Sequence, residues 1–386
     1  MALLRTLLWL VPGLALASGV LAYNLSWHPQ PREKVPPVCT AQAPHLTPGQ
    51  ALKVMTWNLQ YLAGKRYVFW YEGTDGKDQR PTSQDLAYTL DEVTRVIRDE
   101  APDVVLLQEL DQGAKATDYQ DQLGLLKERL ADLYSCSAQA FDWKADFVPD
   151  RHVFGSVGRS LAILSRFQID KAERLQLPEH TGPRQWFEPK RALLSAYLPI
   201  KGGGELAVLN TRLARYQPGT DLQRQQLERI VKRVDKLEAG GVAWLIGGDF
   251  NLLPLGQYRR LPPAAKESFS LDSDLHLLWD RYPMIPSNAQ AGGAHRADWF
   301  THSPNTGSVQ PAERTLDYLI HSPKLTQVTA RVRQEDSLGI SDHLPLIARL
   351  LLPSPPAETP ETEVTPEKTP DASGTPGLGL EVAPEL

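Results

Sequence analysis

The chain has 386 residues, which is long enough for one large α/β domain or for two smaller domains. Its formal net charge is −5 at pH 7, and without residues 353–386 it holds 40 basic and 39 acidic residues. A nearly neutral folded part argues against a broad basic surface for long duplex DNA, although it leaves a local basic patch open.

The amino-terminal segment predicts export. Residues 6–23 hold no charged side chain, are rich in Leu, Ala and Val, and follow Arg5. This pattern is typical of a signal peptide or signal anchor over residues 1–23, and it predicts a periplasmic or extracellular protein. Small residues at 20–22 or 15–17 offer cleavage sites, so removal of the segment and attachment to a membrane surface both remain open.

Two further segments do not resemble a folded core. Residues 24–50 carry six prolines and predict a linker. Residues 353–386 are rich in Pro, Thr and Glu and predict a disordered tail, because they bury too little apolar surface to offset ordering entropy. The two cysteines, Cys39 and Cys136, either form one disulfide between linker and domain or are unrelated thiols.

Residues 51–352 alternate strand and helix patterns and are predicted to form one domain. Helices are predicted from a Thr82 or Ser83 cap to residue 100, over 118–133, and from a Thr220 cap to the glycines at 240 and 241. Apolar runs predict strands at 53–58, 103–109, 160–165, 192–198, 205–210, 242–246, 316–320, 327–333 and 346–351. Because strands outnumber helices, two packed sheets with helices outside are favoured over a plain doubly wound sheet.

The segment 242–251 is the most informative of these. Its apolar residues predict a buried strand, its two glycines permit a sharp turn or a close approach, and Asp249 and Asn251 follow. Residues two apart in an extended chain point to the same side, so Asp249 and Asn251 are predicted to face one cleft. An acceptor beside a donor suits holding a water against a phosphorus centre, whereas a plain turn uses the same residues for backbone reasons.

Other strand ends also carry polar residues. Asn58 and Glu109 end the first two predicted strands of the domain, and Asp342 and His343 precede the last one. Asp317 lies within an apolar strand, so it needs a partner, and a histidine is the natural one. Each residue alone has a structural explanation as a turn, cap or ion-pair residue. Together they form a set of oxygen ligands at strand ends, which suits Mg²⁺ or Mn²⁺ rather than zinc.

Five blocks in the chain carry a resemblance to a known family. In order they are Trp57-Asn58, Leu107-Gln108-Glu109, Gly248-Asp249-Phe250-Asn251, Leu316-Asp317-Tyr318 and Ser341-Asp342-His343. They resemble the endonuclease/exonuclease/phosphatase superfamily, which includes deoxyribonuclease-I-like nucleases, neutral sphingomyelinases and inositol polyphosphate 5-phosphatases. The resemblance implies a four-layer α/β sandwich of two mostly antiparallel, mixed sheets flanked by helices, with residues 51–352 as the catalytic domain.

The resemblance also implies a role for each site residue. Asn58 and Glu109 would be cation ligands, and Asp342 would support either the cation or His343. Asp249 would activate the water, and Asn251 would bind the phosphate. Asp317 would orient His343, which would serve as base or transition-state stabiliser. Such a set neutralises charge on phosphoryl oxygens and places a water in line with the phosphorus. A carboxylate beside a histidine also favours the charged imidazole.

One position departs from the family pattern. Many relatives carry a histidine where this chain has Arg212 in the run Asn210-Thr211-Arg212, and we predict that Asn210 and Arg212 bind substrate phosphate. Arginine stabilises negative charge but does not readily donate a proton, so either a cation-bound water protonates the leaving group or activity is reduced or altered. Lys190 and Arg191 are candidate phosphate contacts too, although solvated basic residues are the favoured interpretation.

Three hypotheses follow from the sequence. The first is an exported or membrane-tethered Mg²⁺-dependent phosphoesterase acting on a lipid head group, a nucleotide or a nucleic acid. The second is a secreted nuclease, which predicts a steep loss of binding with salt. The third is a membrane-tethered binding module of the same fold that has lost turnover, and Arg212 is its support. The natural substrate, the number of metal ions and the oligomeric state stay open.

Overall fold

A computed structural model describes residues 2–40, 42–65, 67–68, 80–305, 309–354, 377 and 379. Within them the strands are β1 (Arg32–Val35), β2 (Val38–Cys39), β3 (Ala51–Asn58), β4 (Val104–Asp111), β5 (Cys136–Val148), β6 (Gly155–Ser165), β7 (Lys171–Gln176), β8 (Ala192–Pro199), β9 (Glu205–Arg212), β10 (Ala243–Asp249), β11 (Met284–Ile285), β12 (Asp317–His321), β13 (Thr326–Val332) and β14 (Leu346–Leu351). The α-helices are α1 (Ala2–Leu25), α2 (Ser83–Glu100), α3 (Gln122–Arg129), α4 (Leu222–Ala239), α5 (Pro263–Lys266), α6 (His276–Trp279) and α7 (Asn288–Gly292). The predicted disordered tail lies almost wholly outside the described residues, so its disorder stays a prediction.

The strands form two mixed seven-stranded sheets. The first has the order β13-β14-β3-β4-β6-β5-β2, and the second has the order β1-β7-β8-β9-β10-β12-β11. Each sheet contains one parallel pair near its centre, β3 with β4 and β9 with β10, while its other neighbouring strands run antiparallel. The predicted pair of mostly antiparallel, mixed sheets is therefore confirmed.

Helices cover the outer faces of the two sheets. Between the sheets, one apolar core contains Leu106 of β4 and Leu245 of β10. On the outer face of the first sheet, Val93 of α2 belongs to a second apolar cluster with residues of β3 and β4. On the outer face of the second sheet, Ile230 of α4 shares a third cluster with Trp244 of β10. The result is the predicted sandwich of four layers, helix, sheet, sheet and helix.

The helix boundaries follow local backbone chemistry. α2 begins after Thr82, one of the two predicted caps, which forms a capping box with Asp85. α3 is shorter than predicted because Asp118 and Tyr119 adopt positive φ angles, which interrupt a right-handed helix. The predicted cap at Thr220 is wrong, since α4 begins after Asp221.

The segment predicted as a linker contributes two strands, which corrects that prediction. β1 pairs with β7 and β2 pairs with β5, each antiparallel and each at an edge of its sheet. Prolines flank both strands, and edge positions tolerate proline because it removes only an outward N–H. β5 also lacks a clear sequence signal, because several of its side chains are polar and half-buried or exposed.

The pairing of β2 with β5 joins the two cysteines. Cys39 lies opposite Cys136 in register, and the two form a disulfide across a sequence separation of 97 residues. A crosslink over so long a loop stabilises the fold mainly by restricting the unfolded chain. Replacing both cysteines by serine is expected to lower the free energy of unfolding by about 2–4 kcal/mol. Urea unfolding of the variant and of the native protein tests this: the native protein should be more stable without reductant, and the difference should shrink with it. Equal free energies of unfolding without reductant would contradict the prediction.

The amino-terminal helix leaves large apolar side chains in solvent. α1 spans Ala2–Leu25, and Trp9, Leu14 and Leu16 are exposed. Among the described residues, no helix combines the length and the apolar character needed to cross a membrane. The export signal over residues 1–23 stays a prediction.

Candidate active site

Strand ends from both sheets meet at one edge of the sandwich. Asn58 ends β3, and Glu109 lies near the end of its parallel neighbour β4. In the second sheet, Arg212 and Asp249 lie opposite each other at the ends of the parallel strands β9 and β10. Asn58 Nδ2 lies 3.2 Å from Asp249 Oδ2, so the two sets of strand ends are in contact.

The two glycines before Asp249 make this close approach feasible. A Cβ on Gly247 would lie 2.6 Å from Leu106 Cδ1 of the facing sheet and 2.7 Å from Leu319 Cδ2. Gly248 has a φ of +149°, and a Cβ there would lie 1.9 Å from the Thr211 carbonyl oxygen. Glycine is therefore required at position 248, where the obstacle is backbone, whereas a side chain at position 247 would have to displace the ends of two leucine side chains.

The carboxylate of Asp249 is completely buried and is surrounded by donors. Its Oδ1 accepts the backbone N–H of Asn251 at 2.9 Å. Its Oδ2 accepts hydrogen bonds from Asn251 Nδ2 at 3.0 Å, Asn58 Nδ2 at 3.2 Å and Arg212 Nε at 3.3 Å. His343 Nε2 lies 3.9 Å from the same oxygen. These donors fix the carboxylate in orientation at the centre of the candidate site.

Asn251 reaches Asp249 by a backbone that differs from the one predicted. Its φ is +51°, a left-handed conformation that asparagine tolerates better than most residues, so the chain is not extended there. Its side-chain Nδ2 still lies 3.0 Å from Asp249 Oδ2 and 3.1 Å from the Leu213 carbonyl oxygen. The two side chains do face each other, but not because the chain is extended at Asn251, as predicted.

Asp317 holds His343 in a fixed orientation. His343 Nδ1 donates to Asp317 Oδ2 at 2.7 Å, and both residues are buried. Burial lowers the pKa of His343, but the carboxylates of Asp317 and Asp249 together raise this pKa to about 10. Asp317 is held in turn by its backbone N–H, which donates to the Thr301 hydroxyl oxygen at 3.1 Å. The histidine is therefore a cation at neutral pH.

An irregularity in β4 directs Glu109 toward the second sheet. The register of β4 against β6 shifts between Leu107 and Leu110, and Glu109 has a φ of +57°. Such bulges redirect a side chain at a strand end, and a left-handed non-glycine residue is a strained conformation that clusters at functional sites. The Glu109 carboxylate is buried and forms an ion pair with Arg212.

An amide and two carboxylates make up the predicted cation site. Asn58 and Glu109 lie at neighbouring strand ends, and the hydroxyl of Ser341, next to Asp342, donates to the Asn58 carbonyl oxygen at 2.8 Å. Hard oxygen donors of this kind suit Mg²⁺ or Mn²⁺. The residue types present therefore fit a divalent cation, with Glu109 at present paired to an arginine.

Two other groups of side chains lie close enough to hold an ion. They are Asp249 with Asp317 and His343, and His302 with Asp342 and His343. Both groups include the ring of His343, whose Nδ1 is hydrogen-bonded to Asp317 Oδ2 at 2.7 Å. Mg²⁺ and Mn²⁺ prefer oxygen ligands to an imidazole nitrogen, so the oxygen set at Asn58 and Glu109 fits such a cation better.

Arg212 bridges the two sheets at the candidate site. Its Nη2 contacts Glu109 Oε1, and its Nε lies 3.3 Å from Asp249 Oδ2. The residue is only 4% exposed, and its Nη1 has no hydrogen-bond partner among the described residues. One guanidinium thus joins a predicted cation ligand to the predicted water-activating acid.

The phosphate-binding role predicted for Asn210 requires correction. Its side chain is completely buried, and its Nδ2 donates to the carbonyl oxygens of Leu107 and Ala162 at 2.8 Å each. Its Oδ1 accepts a hydrogen bond from Gln108 Nε2 at 2.8 Å. Because both the nitrogen and the oxygen of its amide are hydrogen-bonded within the protein, Asn210 joins β9 to strands of the other sheet rather than binding phosphate.

The interpretation of Lys190 and Arg191 as solvated basic residues is also wrong. Lys190 is 5% exposed and forms an ion pair with Glu179. Arg191 is 8% exposed, and its Nη1 lies 2.8 Å from Asp142 Oδ2. Both side chains are therefore buried and paired, and Arg191 points into the polar interior beside the site.

Sequence reasoning missed several buried polar residues around the site. Arg159 Nε and Nη2 pair with the Asp142 carboxylate at 2.8 and 3.0 Å, and Arg159 Nη1 donates to the Tyr61 hydroxyl at 3.3 Å. The ring of His302 packs against that of His343 with centroids 4.8 Å apart. Burial and the positive charge of His343 hold the pKa of His302 well below its usual value. Arg159 directly precedes an apolar strand segment, a signal of the kind that identified Asp317.

Comparisons with known proteins agree with this fold. The model of a family described as "Endonuclease/Exonuclease/phosphatase family" matches residues 55–343. An endonuclease/exonuclease/phosphatase structure from Beutenbergia cavernae DSM 12333 is similar at 21% identity and a TM-score of 0.54, covering 79% of this chain and 72% of that chain. A second one, from Bacteroides vulgatus, is 16% identical with a TM-score of 0.50, covering 78% of this chain and 99% of that chain. A search of the curated proteins gave no significant match.

Proposed function

Because the chain belongs to the Endonuclease/Exonuclease/phosphatase family, whose members hydrolyse phosphoric esters, we propose that it is a divalent-cation-dependent phosphoesterase. Its reaction is the in-line attack of an activated water on a phosphodiester or phosphomonoester. The proposed substrates are a lipid head group, a nucleotide or a nucleic acid. The near-neutral charge of the chain without residues 353–386 favours lipids and small phosphoesters over duplex DNA.

The observation that carries this proposal is the buried Asp317–His343 pair beside Asp249. His343 is protonated at neutral pH because its pKa is raised to about 10, so it cannot serve as the base that accepts a proton from water. Asp249 is left as the proton acceptor. The imidazolium of His343 then stabilises negative charge that develops on the phosphoryl oxygens, and Asn251 offers them an amide N–H. Of the two roles predicted for His343, these contacts favour the transition-state stabiliser.

The proposed cation ligands are Asn58, Glu109 and Asp342. A bound Mg²⁺ or Mn²⁺ would supply Lewis-acid neutralisation of the phosphoryl charge. The chain's own part is to orient these oxygens and to hold the phosphate against Asp249 and His343. Both His343 and Asp249 are more than nine-tenths buried, which strengthens their electrostatic effect by excluding water.

We further propose that the protein acts outside the cytoplasm or tethered to a membrane. The uncharged segment 6–23 after Arg5 supports export. The disulfide between Cys39 and Cys136 supports it independently, because disulfides persist chiefly in oxidising compartments.

One observation favours a second candidate function. Arg212 forms an ion pair with Glu109, a proposed cation ligand, and a guanidinium cannot easily donate a proton to a leaving group. A protein in which this pair persists would keep the fold and the site without turnover. This candidate is a binding module, membrane-tethered or free, of the same fold.

A phosphoester screen of the full-length protein separates the two candidates. We expect hydrolysis of at least one of bis-p-nitrophenyl phosphate, DNA and sphingomyelin with Mg²⁺ or Mn²⁺, and loss of that hydrolysis with EDTA. Absence of turnover on all three, together with retained binding, would favour the binding module. If DNA is the substrate, its binding should weaken steeply with salt, and a flat salt response would count against the nuclease.

A further inference from the structure

Arg212 contacts the carboxylates of two other site residues. Its Nη2 contacts Glu109, and its Nε lies 3.3 Å from Asp249 Oδ2. The third nitrogen, Nη1, is buried and has no hydrogen-bond partner among the described residues. A buried guanidinium N–H without a partner is costly, so this nitrogen would be stabilised by an acceptor that the described residues do not supply.

Two more buried arginines interact electrostatically with Arg212. Arg159 and Arg191 both pair with the single carboxylate of Asp142, and each of the two is at least nine-tenths buried. Burial lowers the pKa of Arg191 to about 9, and the positive charges of Arg159 and Arg212 contribute to that lowering. Arg159 and Arg191 therefore share one buried carboxylate, and the positive charge of Arg212 acts on both of them.

The charge of this region depends on Glu109. While Glu109 pairs with Arg212, the three arginines face three carboxylates: Asp142, Glu109 and Asp249. If Glu109 instead coordinates a divalent cation, Arg212 keeps only the longer contact from its Nε to Asp249 Oδ2 at 3.3 Å, and the region gains net positive charge. A phosphate group is the natural replacement, because arginine donates two parallel N–H bonds to a tetrahedral oxyanion.

We propose that Arg212, supported by Arg191 and Arg159, forms a phosphate subsite that becomes available only when Glu109 takes up a divalent cation. This deepens the proposed function, on whose cation site it rests. In the absence of the cation, Arg212 neutralises Glu109. In its presence, the same guanidinium turns to the phosphate, so that cation and phosphate each raise the affinity for the other. Such coupling is reciprocal by thermodynamic linkage.

Calorimetric titration of the full-length protein at pH 7 tests this coupling. The titrants are MgCl₂ alone, inorganic phosphate alone, and inorganic phosphate with saturating MgCl₂. In the native protein, Mg²⁺ is expected to raise phosphate affinity at least about fivefold. In Arg212→Gln, Mg²⁺ affinity should rise roughly tenfold because the competing cation is gone, and the gain in phosphate affinity should disappear.

Three further variants separate the subsite from general damage. Arg191→Gln should weaken phosphate binding with little change in Mg²⁺ affinity, because Arg191 does not pair with Glu109. Arg212→Lys keeps the charge but not the planar fork, so Mg²⁺ affinity should stay near the native value while phosphate affinity falls; it also serves if Arg212→Gln does not fold. Arg98→Gln, at a side chain 43% exposed on α2, is the control and should change neither affinity.

Two results would overturn the inference. One is unchanged or weaker Mg²⁺ binding in folded Arg212→Gln, and the other is equal phosphate affinity of the native protein with and without Mg²⁺. Because these titrations measure binding rather than turnover, their outcome is separate from that of the phosphoester screen. A protein that shows the coupling but hydrolyses nothing would keep this inference and lose the proposed function.

Discussion

Asp249→Asn is expected to lower kcat by about a hundredfold or more while the protein stays folded. The variant loses the negative charge that accepts the proton of the attacking water. It keeps the shape of the side chain, and its remaining oxygen can still accept the three donors that now face Oδ2, from Asn58, Asn251 and Arg212. The new NH₂ group would then face the backbone N–H of Asn251, which now donates to Oδ1. The lost hydrogen bond lowers stability locally and leaves the fold intact.

Steady-state kinetics on the best substrate of the phosphoester screen, with circular dichroism and thermal unfolding of the same samples, check this prediction. Asp132→Asn makes the same chemical change at a side chain that is 61% exposed, and it should leave kcat unchanged. Unchanged kcat in Asp249→Asn would show that the proton acceptor lies elsewhere. A variant that loses activity together with its thermal transition would show that Asp249 is needed for folding and leave its role in turnover to a milder substitution such as Asp249→Glu.

The strand ends of the candidate site are recognisable in the sequence because polar residues interrupt the apolar pattern of buried strands. Asn58, Glu109 and Asp249 each follow an apolar run, and Asp317 begins one. A polar residue that ends a buried strand has few purely structural explanations, and several of them along one chain reinforce each other. The same reasoning predicted a histidine partner for Asp317, the resemblance to the family identified it as His343, and the structure has this contact at 2.7 Å.

Other parts of the site depend on contacts that no local pattern encodes. The left-handed φ angles of Glu109 and Asn251 arise from the bulge in β4 and from the end of β10, and neither residue type requires them. Arg191 follows Lys190 and looks like part of a solvated pair, yet it is buried because Asp142 lies across the sheet. Asn210 forms part of a family-like run but is used to join the sheets. Each depends on which strands become neighbours, and this is fixed only by the tertiary fold.

His343→Gln is expected to lower kcat by about a hundredfold to a thousandfold, because it removes a preorganised positive charge from the site. The pH dependence of kcat shows whether the charge of His343 is responsible. The native pKa of His343 is about 10, against an ordinary value of 6.5, so the imidazolium is present throughout the neutral range. Native kcat should therefore show no loss due to this residue between about pH 7 and 9 and should fall as pH approaches 10.

The free energy of unfolding should also depend on the protonation of His343. Since the folded-state pKa of His343 lies above the unfolded one, its contribution to stability is fully present below about pH 6.5 and is lost as pH rises toward 10. Urea unfolding at pH 6, 8 and 10 should show that loss in the native protein and not in His343→Gln. Asp317→Asn removes the closest carboxylate, so the alkaline loss of kcat should move to lower pH, as expected for a positioning residue. A native kcat that instead rises with pH through about 7 would mean that a neutral imidazole is the active form, and His343 would then be the base rather than the stabiliser.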